Sequence, residues 1–174
     1  MKTEECVLEN VTQNPDLWKA GDPVRPELNV RFKTAPGRTV YGLKTSSGEY
    51  VAFCCVARTT AVPKDIMELS DFTSLTGDIL VPYTVWSLRR GAGRTIIKQL
   101  LDNVTERHLA HRVVTLSPLT DMARKFHLKN GAREISRSVV TANFEYPVIA
   151  ERDSSDWYQS VAENDWSCTA QGEL

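Results

Sequence analysis

Residues 85–97, Val-Trp-Ser-Leu-Arg-Arg-Gly-Ala-Gly-Arg-Thr-Ile-Ile, constrain the fold more than any other part of the chain. They start as an apolar strand, pass through a tight Arg/Gly turn, and leave as a helix over residues 95–104. A turn of this kind gathers backbone N–H groups and the positive end of a helix at one spot, which makes an anion site. Gly91 and Gly93 remove side chains that would keep a phosphate at a distance, while Arg90 and Arg94 add positive charge. The implied ligand carries phosphate.

Two common phosphate motifs are excluded. A P-loop needs a lysine directly after its glycines, and none follows here. A dinucleotide fingerprint needs a third glycine inside a βαβ unit, but Ile96 stands at that place and the elements before it read as antiparallel β. Arg90-Gly91-Ala92-Gly93-Arg94-Thr95 instead resembles the pyrophosphate motif Arg/Gln-x-x-Gly-x-Gly/Ala of the GCN5-related N-acetyltransferases (GNAT). In that alignment Thr95 departs from the small residue of the last position. The resemblance implies acetyl-CoA as cosubstrate, with its pyrophosphate on the amides of residues 90–95. It sets the cofactor along Val85, Trp86, Ser87, Arg89, Arg90, Gly91, Ala92, Gly93, Arg94 and Thr95, with Phe126 beside it.

The rest of the chain supplies an order of elements. A short strand is expected near residues 6–11, then a short helix opened by Asn14 as cap and Pro15 at its first position. Strands at 39–44 and 50–58 are joined by a hairpin loop containing Gly48. A helical turn is expected at 63–69. Residues 78–87 are β-rich, and Pro82 marks a bulge or a strand beginning near Tyr83. Ile96, Ile97, Leu100, Leu101 and Val104 form one apolar helical face. A strand at 111–116 ends at Ser117-Pro118, a helix over 121–129 has Thr120 as N-cap and stops at Gly131, and 134–146 returns to β as one strand or two. The sum is an α+β or mixed α/β sheet, with strands first and helices afterwards.

That order and a second segment extend the resemblance over residues 38–146. Thr120-x-x-Ala123-x-x-Phe126-His127-x-x-x-Gly131-Ala132 is similar to the family's Asn-x-x-Ala-x-x-Phe-Tyr-x-x-x-Gly-Phe, with Thr120, His127 and Ala132 departing from it. The fold implied is a mostly antiparallel twisted sheet with splayed strands, flanked by helices. In the family the splay separates the strand before the phosphate turn, here 83–87, from the strand at 111–116, and its exposed N–H groups stabilise the thioester oxyanion. His127 stands where the family commonly has the Tyr that protonates the leaving thiolate, and a histidine can do that near neutral pH. Glu49, Glu68, Asp71 and Asp78 border the acceptor side, Asp78 nearest to where the family often carries an acid. Leu116-Ser117-Pro118 also resembles a segment of malonyl-CoA decarboxylase, which would give Ser117 an acid/base part, although no histidine follows His127.

Size and charge fit one domain over residues 1–150 and an acidic tail over 151–174. The tail carries six acids against Arg152, a balance of −5, so the total of −1 leaves +4 for the body. That suits an anionic cosubstrate and is too little to indicate nucleic acid. Adjacent Cys54 and Cys55 face opposite sides of a strand, and the four cysteines lack Cys-x-x-Cys spacing, which argues against a metal site and a disulfide framework. No leader or membrane span is visible, so a cytoplasmic protein is expected; a homodimer stays open. The function implied is direct transfer of acetyl from acetyl-CoA to an amine. The alternatives are a non-catalytic acyl-CoA-binding scaffold and a decarboxylase-like enzyme using Ser117.

Overall fold

The structure, a computed structural model, describes residues 5–148. The acidic stretch 151–174 and the boundary placed at residue 150 lie outside the described residues. Among the described residues eight strands form one sheet: β1 (Cys6–Asn10), β2 (Arg38–Thr45), β3 (Tyr50–Thr59), β4 (Ile79–Ser87), β5 (Arg112–Val114), β6 (Ser117–Pro118), β7 (Arg133–Arg137) and β8 (Thr141–Tyr146). Their order is β1-β2-β3-β4-β5-β8-β6, and β7 also pairs with β8. Every pairing is antiparallel except β4 with β5. A parallel pair needs a crossover, and helix α3 (Ala92–Arg107) supplies it. The α+β class with a mostly antiparallel sheet is therefore the observed one.

Both faces of the sheet are covered. The apolar stripe of α3, Ile96, Ile97, Leu100, Leu101 and Val104, packs on one face with Phe126 of α4 (Asp121–Lys129). On the other face lie Trp18, Leu69 of α2 (Ile66–Phe72), Phe53, Tyr83, Trp86 and Leu116. This double coverage explains why Val51 to Val56 in β3 is buried without interruption, where a one-sided strand would alternate. Cys54 and Cys55 fall into opposite clusters and are both free. Cys6 is disulfide-bonded, a single bridge where the sequence argued against a disulfide framework.

Local chemistry explains where the element bounds differ from the sequence pattern. Helix α3 starts at Ala92, earlier than the apolar periodicity indicates, because Gly91 adopts φ +85° and lets the chain turn straight into the helix. His108, at φ 52°, closes it after Arg107. Asn14 makes no side-chain cap, and Pro15–Leu17 is a single 3-10 turn. Helix α1 (Val30–Lys33), capped by Asn29, has no apolar period to reveal it. Thr120 caps α4 as expected, accepting from Ala123 N–H at 3.1 Å. The β run after Gly131 is two strands, turned through residues 138–140 by the Ser138 hydroxyl, which takes N–H bonds from Val140 and Thr141. No helix among the described residues is long and apolar enough to cross a membrane.

Candidate active site

The turn after β4 is buried at Gly91, Ala92 and Gly93 and leaves several backbone N–H groups unbonded at the start of α3. Among the amides of residues 90–95, Ala92 N–H donates to Arg89 O and Thr95 N–H to Gly91 O. The N–H groups of Gly91, Gly93 and Arg94 have no acceptor among the described residues. They sit at the mouth of a sixteen-residue helix, where its dipole is positive. Thr95 lies one turn inside, buried, with its hydroxyl donating back to Gly91 O at 3.2 Å. The two small residues at the helix mouth are thus Gly91 and Gly93, which shifts the motif by two positions: Leu88-x-x-Gly91-x-Gly93. The Thr95 departure disappears in that register, and the Arg/Gln place falls on the exposed Leu88. Arg89 reaches sideways to Glu49 at 2.9 Å on the surface.

From this turn β4 runs back into a splay. β4 and β5 pair only at Ile79–Arg112 and Leu80–Val113, and the last link across is Leu116 N–H to Pro82 O at 3.0 Å. Beyond Pro82 the two strands part. A β-bulge between Cys55 and Val56 places Pro82 opposite Val56 and Thr84 opposite Cys55, leaving Tyr83 as the extra residue. Leu88 N–H donates to Val51 O on β3, so by alternation Thr84 and Trp86 also face β3, whereas Val85 and Ser87 face the open edge. A cleft of about 130 Å³ opens there, walled by Val24, Pro82 to Trp86, Ser117, Pro118, Thr120 and the α4 residues Met122, Ala123, Phe126 and His127. The open strand edge and Phe126 share this cleft, and the turn residues 88–95 do not line it.

His127 is placed differently from its sequence expectation. Its ring is buried, stacked on Phe144 at 5.2 Å, with Nδ1 2.7 Å from the Tyr146 hydroxyl. The hydroxyl has no other partner among the described residues, so it donates to Nδ1, and the proton of the neutral ring sits on Nε2. Desolvation lowers the His127 pKa to about 3. The imidazolium acid expected from the sequence does not exist at neutral pH in this environment; what His127 offers the cleft is a neutral N–H. In the unfolded chain the ring titrates near 6.5, so between roughly pH 6.5 and 3 the unfolded state binds a proton that the folded state does not. Stability then falls as pH falls through that window, by up to about 1.4 kcal/mol per pH unit. Urea unfolding at pH 7, 6, 5 and 4 should show a flatter slope for His127→Phe than for the parent; equal slopes would mean the ring takes up protons in the fold.

Two further expected residues separate. Ser117 lines the cleft, buried, with its hydroxyl donating to Thr115 Oγ1 at 2.8 Å. Asp78 is exposed at the N-terminal start of β4, before Ile79, whereas the splay opens past Pro82, so a general-base part for Asp78 does not fit. Glu68 caps Lys64 N–H, Asp71 is exposed, and Glu49 holds Arg89. Among the described residues no carboxylate lines the cleft. Among the described residues no group of three or more His, Cys, Asp or Glu could hold a metal.

A charged network beneath the splay is not legible in the sequence. Asp22 accepts from Lys33 Nζ at 2.7 Å, Thr84 Oγ1 at 3.0 Å, and the N–H groups of Val24 and Arg25. Lys33 Nζ lies 5.3 Å over the Trp86 ring. So fixed, Arg25 sends its guanidinium between the parting strands, Nε to Tyr83 O at 3.0 Å and Nη2 to Leu116 O at 2.9 Å. The only sequence cue is Asp22 and Arg25 set on either side of Pro23, which reads as a solvated loop.

No family model matches the sequence, and no curated protein is detectably similar to it. Solved structures are similar in fold. Malonyl-CoA decarboxylase from Agrobacterium vitis superposes with a TM-score of 0.61 at 17% identity, over 97% of this chain and 64% of that one. The chain thus spans less than two thirds of that enzyme's length. The loading GNATL domain of CurA from Lyngbya majuscula gives 0.62 at 12%, covering 82% of this chain and 97% of that domain. AtaTR bound with acetyl-CoA gives 0.54 at 14%, over 80% and 92%. With its split β4–β5 pair, the glycine turn that opens α3 and these neighbours, the chain has the fold of the GNAT superfamily.

Proposed function

We propose that this protein binds acetyl-CoA and transfers the acetyl group directly to an amine. The observation that carries the reading is the continuity of three features: the amides of Gly91, Gly93 and Arg94, without an acceptor among the described residues, the open edge of β4, and the cleft against α4. The pyrophosphate rests on the amides, within reach of Arg90 and Arg94. Pantetheine follows β4 past Ser87 and Trp86 along Phe126, and the thioester oxygen accepts from Val85 N–H. The acceptor nitrogen adds to the carbonyl carbon, the oxyanion collapses, and the C–S bond breaks to a thiolate. With no carboxylate lining the cleft among the described residues, the amine gives its proton to water, and the neutral His127 N–H hydrogen-bonds the departing sulfur. Calorimetry with acetyl-CoA and free-thiol release with a panel of amines test this. Micromolar binding with thiol release is the expected outcome; binding without release from any amine would leave the non-catalytic scaffold, and no binding would remove both.

The cleft position of Ser117 favours a second reading, decarboxylation of malonyl-CoA, and one neighbour of the fold is an enzyme of that name. Loss of carbon dioxide leaves a thioester enolate that takes its proton from the Ser117 hydroxyl, and water returns a proton to that oxygen. Malonyl-CoA should then yield acetyl-CoA in mass spectrometry, and Ser117→Ala should slow it by about a hundredfold. Unaltered malonyl-CoA after prolonged incubation removes this reading.

A further inference from the structure

Arg25 is 7% exposed, yet no carboxylate lies within ion-pair distance of it among the described residues. Its Nε and Nη2 are held by two neutral carbonyls, one on each parting strand, and Nη1 has no partner among the described residues. Glu27 and Asp22 act on the guanidinium only from beyond ion-pair distance and burial outweighs them, so the charge is costly to keep, and carbonyl oxygens offset that cost only in part. A residue needed only to tie the strands together could do so without a full positive charge. Arg25 lies behind the cleft wall: Val24, next to it in the chain, and Tyr83, whose carbonyl it holds, line the cleft with Ser117, and no carboxylate among the described residues shares that wall. The Asp22 network fixes the Arg25 backbone, so the fork is pre-set rather than mobile. A planar fork with free N–H donors matches a carboxylate.

Resting on the acyl-CoA reading above, we propose that Arg25 is the docking point for a carboxylate carried to the reacting end of the cleft. Val85 and Tyr83 are two residues apart on the same edge, about 7 Å. A short acyl chain whose thioester sits at Val85 therefore points its far end toward the guanidinium. The carboxylate can come from a dicarboxylic acyl group or from an amine acceptor that is itself an acid.

The test has two arms. Calorimetry compares malonyl-CoA with acetoacetyl-CoA, which is close in shape and neutral, and with acetyl-CoA. Thiol release under saturating acetyl-CoA compares amino acids with their amides. One arm should favour the carboxylate form by about tenfold or more, identifying its source, and Arg25→Met should bring that ratio to near one. Where Arg25→Met does not fold, Arg25→Lys serves: it keeps a cation, loses the fork, and must lower the ratio. Ratios near one in both arms of the parent, or a ratio that survives both substitutions, overturn the proposal. Acetyl-CoA binding without carboxylate preference removes Arg25's part alone; silence with all three thioesters removes the acyl-CoA reading and this one with it.

Discussion

Lys33→Met should destabilise the fold by about 3 kcal/mol or more, the usual cost of stripping one partner from a buried ion pair. Both side chains of the Asp22–Lys33 pair are 4% exposed, at 2.7 Å. Without Lys33 the Asp22 carboxylate stays buried, held only by the Thr84 hydroxyl and the N–H groups of Val24 and Arg25. The methionine keeps most of the contact with Trp18 and Trp86, so the loss reports the charge and not the stem. Asp22→Leu combined with Lys33→Met should recover part of the stability, since an apolar pair leaves no orphan charge. The recovery stays incomplete because Val24 N–H, Arg25 N–H and Thr84 Oγ1 lose their acceptor. Urea unfolding of the four proteins forms a double-mutant cycle with an expected coupling above about 1 kcal/mol. A single-variant cost under that value would mean water reaches the pair and segment 18–33 is not docked on the sheet as described.

The same pair shows where sequence reasoning reaches its limit. Helix α3 is legible because Ile96, Ile97, Leu100, Leu101 and Val104 repeat with the helix period, and the turn before it is legible because glycine and arginine have few uses in such density. The hairpin at Gly48, the Thr120 cap and the Pro82 bulge follow from local chemistry that any chain must obey. What fails is whatever depends on partners distant in sequence. Arg25 meets Leu116 across ninety-one residues, and His127 meets Tyr146 across a helix and two strands. A histidine in a motif position says nothing about whether its ring faces water or stacks on Phe144. Motif register suffers likewise: two alignments of the glycines are equal on paper, and only the left-handed φ of Gly91 with the buried Thr95 decides between them.

That register makes opposite demands on the two glycines, and the contrast is the sharpest test of the cradle. Gly93 sits at the second position of α3, with φ in the ordinary helical range, where alanine is the better helix former by up to about 1 kcal/mol. Gly93→Ala therefore adds no backbone strain, but its methyl group stands where a diphosphate oxygen must approach the N–H. Acetyl-CoA affinity should drop about tenfold to a hundredfold, with no loss of helix content by circular dichroism. Gly91→Val should weaken binding at least as much and also cost about 1–3 kcal/mol in unfolding, because φ +85° is strained for a branched side chain. If both variants bind acetyl-CoA as the parent does, the diphosphate is not on these amides and the acyl-CoA reading loses its footing. If Gly91→Val alone binds weakly, strain and not contact explains the loss, and the oxygen-to-amide geometry at Gly93 is ruled out. Loss in both, with stability lost only in Gly91→Val, is the pattern that a phosphate cradle at the mouth of α3 requires.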